Sequence, residues 1–169
     1  MIRGKQIFLR ALEPDDLEFL YQAENDETLW HAGILQQPIS KFTLKAYLEN
    51  THQTLQEAGQ LRLVICKTDG TSIGLIDLFD YDANHQRAAV GVMLLQAERG
   101  KGLGADGLKT LKSYAGKIGL HQLYCHVQES NLPSIGLFTR CGFTNAGLLK
   151  DWIRAGKQFE DVYFMQCVL

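Results

Sequence analysis

The sequence has no Cys-x-x-Cys pair, no Gly-Lys-Ser or Gly-Lys-Thr triplet, no apolar run near the length of a membrane span and no short cluster of Lys and Arg. Each absence removes a class of function. Four scattered cysteines (Cys66, Cys125, Cys141 and Cys167) form neither a disulfide framework nor a metal-ligand spacing, so reduced thiols in or near the core of a cytoplasmic protein are expected. His121 and His126 flank Cys125, but strand alternation puts Cys125 and His126 on opposite faces, and no structural metal is expected. Without the Gly-Lys-Ser/Thr triplet there is no P-loop. The early apolar run Ile7-Phe8-Leu9 is too short for a signal-peptide core, so no membrane partner is expected. Net charge is −2 and the isoelectric point about 6.2, which leaves no basic excess to attract nucleic acid.

What remains is the material of one soluble domain spanning residues 1–169, with 46% apolar residues to build a core. Ile7 to Leu12 reads as a strand. Pro14-Asp15-Asp16 opens a helix, since proline suits an early helical position and acids suit the positive dipole end. Asn25 to Pro38 is irregular. Ser40 caps a second helix expected to run through Leu55 and to end at Gly59. Strands follow over residues 61–66, 72–79 and 88–95, the first two joined by an Asp69-Gly70 turn. A long helix from Leu103 to Ile118, a strand at Leu123–Val127, a helix from Asn131 to Cys141 and strands over 143–149 and 158–168 complete the chain. Hairpin-linked strands with one clear crossover helix predict an α+β domain around a mixed, mostly antiparallel sheet, flanked by about four helices.

The informative stretch is the passage from strand to helix over Val90–Ala105, with Gly100, Gly102 and Gly104 in alternate positions. Glycines cost backbone entropy, and close approach to an anion is a reason to keep them: without Cβ atoms, backbone N–H groups can touch a phosphate. The helix N-terminus behind them adds a positive dipole end, and Arg99 and Lys101 add charge beside a pyrophosphate. Gly102-Leu103-Gly104-Ala105-Asp106-Gly107 also fits the dinucleotide pattern G-x-G-x-x-G, with Glu129 downstream. Against a nicotinamide dinucleotide, Gln96 to Lys101 separate the pattern from the strand end, and the chain offers only one clear crossover helix.

Arg99-Gly100-Lys101-Gly102-Leu103-Gly104-Ala105 resembles the pyrophosphate loop of the GNAT N-acetyltransferases, R/Q-x-x-G-x-G/A. Asn131 to Phe143, with Asn131, Ser134, Leu137, Phe138, Gly142 and Phe143 at the matching places, resembles their second signature. The tail, Lys150-Asp151-Trp152-Ile153-Arg154 with Asp161-Val162-Tyr163, is similar to the branch of ribosomal-protein N-terminal and diamine acetyltransferases. The resemblance implies a sheet that splays to admit acetyl-CoA. Val92, Met93 and Leu94 would offer backbone to pantetheine as an added strand, one N–H facing the thioester oxygen. Arg99, Gly100, Lys101, Gly102, Leu103, Gly104 and Ala105 would hold the pyrophosphate, and Asn131, Ser134 and Phe138 would touch the cofactor's far side. Asn131 is equally a helix N-cap and Ser134 a first-turn residue. The acceptor would be a small-molecule amine or a peptide N-terminus, and the chain could form a homo-oligomer.

Two positions depart from the family pattern. Phe138 stands where many relatives carry the Tyr that protonates the leaving thiolate, and Ala89 where many carry a Glu. Asp77 is the first replacement candidate, because a carboxylate interrupting an apolar strand has either a task or a partner, such as Arg87 across the hairpin. His126, sharing a strand face with Tyr124, is the second. Acids at Glu24, Asp26 and Glu27 hint at a cationic acceptor such as a polyamine, although an ordinary acidic surface loop is the favoured reading. Beside an active acetyltransferase, the substitutions leave open a catalytically weak acyl-CoA-binding domain, and the glycine pattern leaves open an NAD(P)-binding oxidoreductase.

Overall fold

The computed structural model describes residues 1–26, 37–50 and 53–169. Eight strands form one sheet: β1 (Ile2–Arg3), β2 (Ile7–Ala11), β3 (Leu61–Lys67), β4 (Ser72–Asp82), β5 (Arg87–Leu94), β6 (Gln122–Gln128), β7 (Thr144–Ala155) and β8 (Gln158–Val168). Their order is β1-β2-β3-β4-β5-β6-β8-β7, and among the described residues β5–β6 is the one parallel pair. Five α-helices are present among the described residues: α1 (Leu17–Glu24), α2 (Lys41–Glu49), α3 (Leu55–Ala58), α4 (Leu103–Lys117) and α5 (Leu132–Arg140). The α+β, mostly antiparallel expectation holds.

Period-2 alternation assigns the two faces of the sheet. The back face buries Ile65, Ile76, Leu78, Val90, Leu123 and Cys125 beneath α4 and α5. There Gly107 of α4 faces β3, and a Cβ at this position would lie an ordinary contact distance of 3.5 Å from Ile65 Cδ1. The front face buries Val64, Cys66 and Leu75 beneath Leu20 and Ala23 of α1 and Leu44 and Leu48 of α2. All four cysteines are buried and free.

Four details correct the sequence reading. The helix capped by Ser40, whose hydroxyl accepts from the Thr43 N–H, ends at Glu49 instead of running to Leu55. A second cap, Thr54 with Glu57 in a reciprocal box, starts the separate turn α3, which Gly59 closes at φ 65°. The predicted break after Leu149 is a bulge within β7, where the register against β8 shifts and Asp151 takes φ 48°. The N-terminal strand β1 and its anchor also went unseen: the Asp106 carboxylate on α4 accepts N–H bonds from Lys5, Gln6 and Ile7 at 2.6–3.2 Å.

Candidate active site

The parallel pairing of β5 with β6 is short. It covers Arg87, Ala88 and Ala89 against Gln122, Leu123 and Tyr124 and goes no further. Beyond Ala89, β5 remains paired to β4 as far as Leu94, while β6 follows β8. The two strands therefore splay, and among the described residues the β6-facing edge of β5 over residues 90–94 has no strand partner. This is the gap between parallel strand ends in which open sheets hold ligands. Val92, Met93 and Leu94, the predicted backbone donors and acceptors, line that edge and are half-buried.

The glycine loop closes the end of the gap. A single 3-10 turn (Gln96–Glu98) leads into it, and α4 starts at Leu103. Gly100 and Gly102 adopt φ 76° and 80°, the left-handed region where a side chain is strained, and a Cβ on either would meet nothing within 4 Å. Their open sides leave room for a ligand to reach the backbone. Gly104 has a different task. A Cβ there would lie 3.3 Å from Leu94 and 3.7 Å from Leu137, so this glycine lets α4 sit between the end of β5 and α5. Leu103 is buried in the back core and Ala105 packs against it. Arg99 Nε donates to the Leu94 carbonyl at 2.9 Å, tying the loop to the strand end. Lys101 and Lys67 both pair with Glu98, at 3.1 and 2.6 Å, and their hydrogen bonds hold its carboxyl below the usual range. Three cations against one acid leave this corner positive. Residues of this kind fit the pyrophosphate of a coenzyme: unobstructed N–H groups, a helix N-terminus and flanking cations.

The second signature forms α5 beside the gap. Asn131 caps it, its side-chain oxygen accepting from the Ser134 N–H at 3.2 Å, so the capping role is realised and its amide nitrogen stays available. Ser134 is half-buried. Phe138 is only 4% exposed and packs edge-on against Phe143 at 5.0 Å, which makes its ring part of the core behind the gap.

On the front face, Asp77 has a partner, but it is not Arg87. Arg62 Nε donates to Asp77 Oδ1 at 2.6 Å, and Arg62 Nη1 to Glu24 Oε1 at 2.6 Å. Arg87 stands four residues along β5 from Gly91, the residue opposite Asp77, and pairs instead with Asp82, which a bulge between Phe79 and Asp82, with Asp80 at φ 48°, brings opposite it. Arg62 also lies over the Tyr47 ring, 5.6 Å from its centroid. Burial works against the Arg62 charge, yet Asp77 and Glu24 outweigh it and hold the guanidinium's pKa above its ordinary value. Arg62 was missed in the sequence, although a signal existed. Like Asp77, it interrupts an apolar strand, and the two stand equidistant from the Asp69-Gly70 turn.

His126 is exposed on the same face, edge-on to Tyr124 (6.0 Å between ring centroids) and tilted against Phe164 (5.3 Å). Burial first, with Asp80 and Asp82 adding, pushes the Tyr124 phenol above its usual range. Ala89, fully buried, stands beside Tyr124 where the splay begins. Asp77 and His126 thus share a face, on opposite sides of β5. Glu27 and most of the irregular segment before Pro38 lie outside the described residues.

Residues 6–144 match the model of the acetyltransferase (GNAT) domain. The chain belongs to the GNAT acetyltransferase family. It is 27% identical over 160 residues to the spermidine N(1)-acetyltransferase of Vibrio cholerae, covering 94% of this chain and 91% of that protein. Among solved structures, the spermidine N-acetyltransferase of V. cholerae in complex with CoA and spermine is similar, with a TM-score of 0.86 at 26% identity over 96% of this chain and 95% of that one. A dodecameric structure of the V. cholerae enzyme aligns with a TM-score of 0.81 at 26% identity, covering 96% and 94% of the two chains. The chain is an N-acetyltransferase that takes its acetyl group from acetyl-CoA. The dinucleotide alternative falls with this assignment, and Gly104 of its pattern is accounted for by close helix packing.

Proposed function

We propose that acetyl-CoA lies along the free edge of β5 with its pyrophosphate on the Arg99–Ala105 loop, and that the acceptor is a small cationic amine of the polyamine class. The observation that carries the cofactor half is the splay itself: β5 keeps one unpaired edge from Val90 to Leu94, ending at a loop whose two left-handed glycines face open space. Pantetheine amides pair there as an added strand would. For the acceptor half, the support is charge. Two carboxylates, Asp77 and Glu24, surround one guanidinium, so the cluster keeps a net negative charge on the front face. The similarity to spermidine acetyltransferases points the same way.

In the transfer, the neutral amine nitrogen bonds to the acetyl carbon, the C–S bond breaks with its electron pair on sulfur, and the nitrogen's proton leaves. Asp77, held in an ion pair, anchors the ammonium form, which gives up a first proton to become the neutral nucleophile and the second as the amide forms. His126, exposed and across β5, takes the proton or passes it to water. Copies of the chain assemble into a homo-oligomer. Trp152 and Phe159, 60% and 61% exposed on the terminal hairpin, are the surface offered for it.

Free-thiol release on mixing acetyl-CoA with spermidine, spermine, monoamines and a short peptide tests the reading. Turnover is expected with the polyamines. Acetyl-CoA at 100 times its Kd should also stabilise the fold by about 2.7 kcal/mol. Stabilisation without thiol release from any amine favours a CoA-binding sensor, and preference for the peptide overturns the acceptor class.

A further inference from the structure

Asp77 and Gly91 stand directly opposite each other in the β4–β5 register, on the front face. Gly91 belongs to the stretch of β5 that has left β6. It is not in the left-handed region, so its backbone does not demand glycine. A Cβ built there would lie 3.6 Å from Phe79 Cε1 and 4.0 Å from Asp77 Oδ2, ordinary contact distances that the fold tolerates. Neither backbone strain nor crowding accounts for the missing side chain. Its absence leaves the β5 backbone bare beside one oxygen of Asp77.

That oxygen is the less committed of the two. Oδ1 takes the 2.6 Å bond from Arg62 Nε, whereas Oδ2 receives only a long contact from Nη2 at 3.4 Å. Arg62 thus orients the carboxylate without saturating it. The same guanidinium reaches Glu24 at the end of α1 and lies over Tyr47 of α2, so one side chain joins the sheet to both front helices.

We propose that Gly91 is the specificity-determining position of the acceptor site: its missing side chain opens a notch for the substrate ammonium against Asp77 Oδ2, with Arg62 as the positioning residue that aims the carboxylate. The inference rests on the acceptor reading above. An amine in this notch lies beside the free edge of β5, within reach of a thioester held there. Carbon chains extend from it along the front face toward Glu24. Branching next to the reacting nitrogen collides with the β5 backbone.

The test is Gly91→Ala. A single added methyl should raise the KM for spermidine about tenfold, the scale of one methylene in a tight pocket. The melting temperature and the stabilisation by acetyl-CoA should not change. Arg62→Gln should raise the same KM with kcat little altered, and Arg62→Lys should restore part of it. Combined with Asp77→Asn, Gly91→Ala should have less effect than alone, because both changes act on one contact. An unchanged amine KM and kcat in folded Gly91→Ala overturns the proposal, as does an Arg62→Gln variant that loses stability while keeping the amine KM. Absence of thiol release from the unmodified protein with every amine would strike the acceptor reading first, so the two failures are distinguishable.

Discussion

On the back of the sheet, Leu108, Leu111, Leu123 and Phe143 are at most 1% exposed and pack among apolar side chains beneath α4 and α5. On the front, the smaller apolar layer beneath α1 and α2 is flanked by Arg10–Asp16 on one side and Arg62 with Asp77 and Glu24 on the other. Charges so poorly solvated are expensive unless paired, and replacing such pairs with apolar residues is often neutral or stabilising. Stability therefore does not explain their presence, and the second cluster is the one proposed above to recognise a cationic acceptor. The back face keeps the loop and α5 in register around the gap. The front face presents charge and aromatic rings to whatever attacks across it.

The largest effect that would sharpen this division is expected from Phe143→Ala. Truncating a core ring should cost about 3–5 kcal/mol in urea unfolding, with the amine KM of the folded fraction unchanged. A front-face kinetic defect from this variant would break the comparison.

Next is Asp16→Asn. Asp16 accepts both Arg10 guanidinium nitrogens at 2.7 Å and the Glu13 N–H at 2.8 Å. Burial alone would raise its pKa, but these bonds reverse the effect and hold it below the ordinary carboxylate value. A carboxyl whose folded pKa is depressed stabilises above its unfolded value, near pH 3.9, and loses that contribution as pH falls below it. Asp16→Asn should cost about 1.5–3 kcal/mol at pH 7, the scale of hydrogen bonds to a charged group. The difference from the unmodified protein should shrink below about pH 4, and a difference constant with pH would show that the charge is not what matters.

The smallest effect is expected from Phe138→Tyr. A hydroxyl added to a ring packed against Phe143 should lower stability by about 1 kcal/mol or somewhat more. Turnover should be kept or rise modestly. A large loss of acetyl-CoA binding would mean that this ring lines the thiol's position.

Much of the architecture was legible because local chemistry fixed it. Asp69-Gly70 marked the β3–β4 turn, Asn131 and Ser40 marked two helix starts, and the glycine loop announced a strand end meeting a helix. Long-range backbone contacts left no such mark. The three N–H groups that Asp106 holds are about a hundred residues distant from it in the chain. The site was legible in part. Gly100 and Gly102 have the open geometry expected of them, whereas Gly104 proved to be a packing residue, so Gly104→Val would disturb the core as well as the loop. Asp77 was picked out by its polarity, but its partner depended on register: the β3–β4 pairing puts Arg62 opposite Asp77, whereas Arg87 lies four residues along β5 from Gly91, the residue opposite Asp77 on that strand.

The central claim is that the free edge of β5 is the acetyl-CoA site. Amide hydrogen exchange, followed residue by residue with and without acetyl-CoA, reads it most directly. Amides of Val92, Met93 and Leu94 that face away from β4 should gain protection together with those of Gly100 to Gly104, while amides of β7 should not change. Protection confined to other strands, or none at saturating acetyl-CoA, would contradict the account.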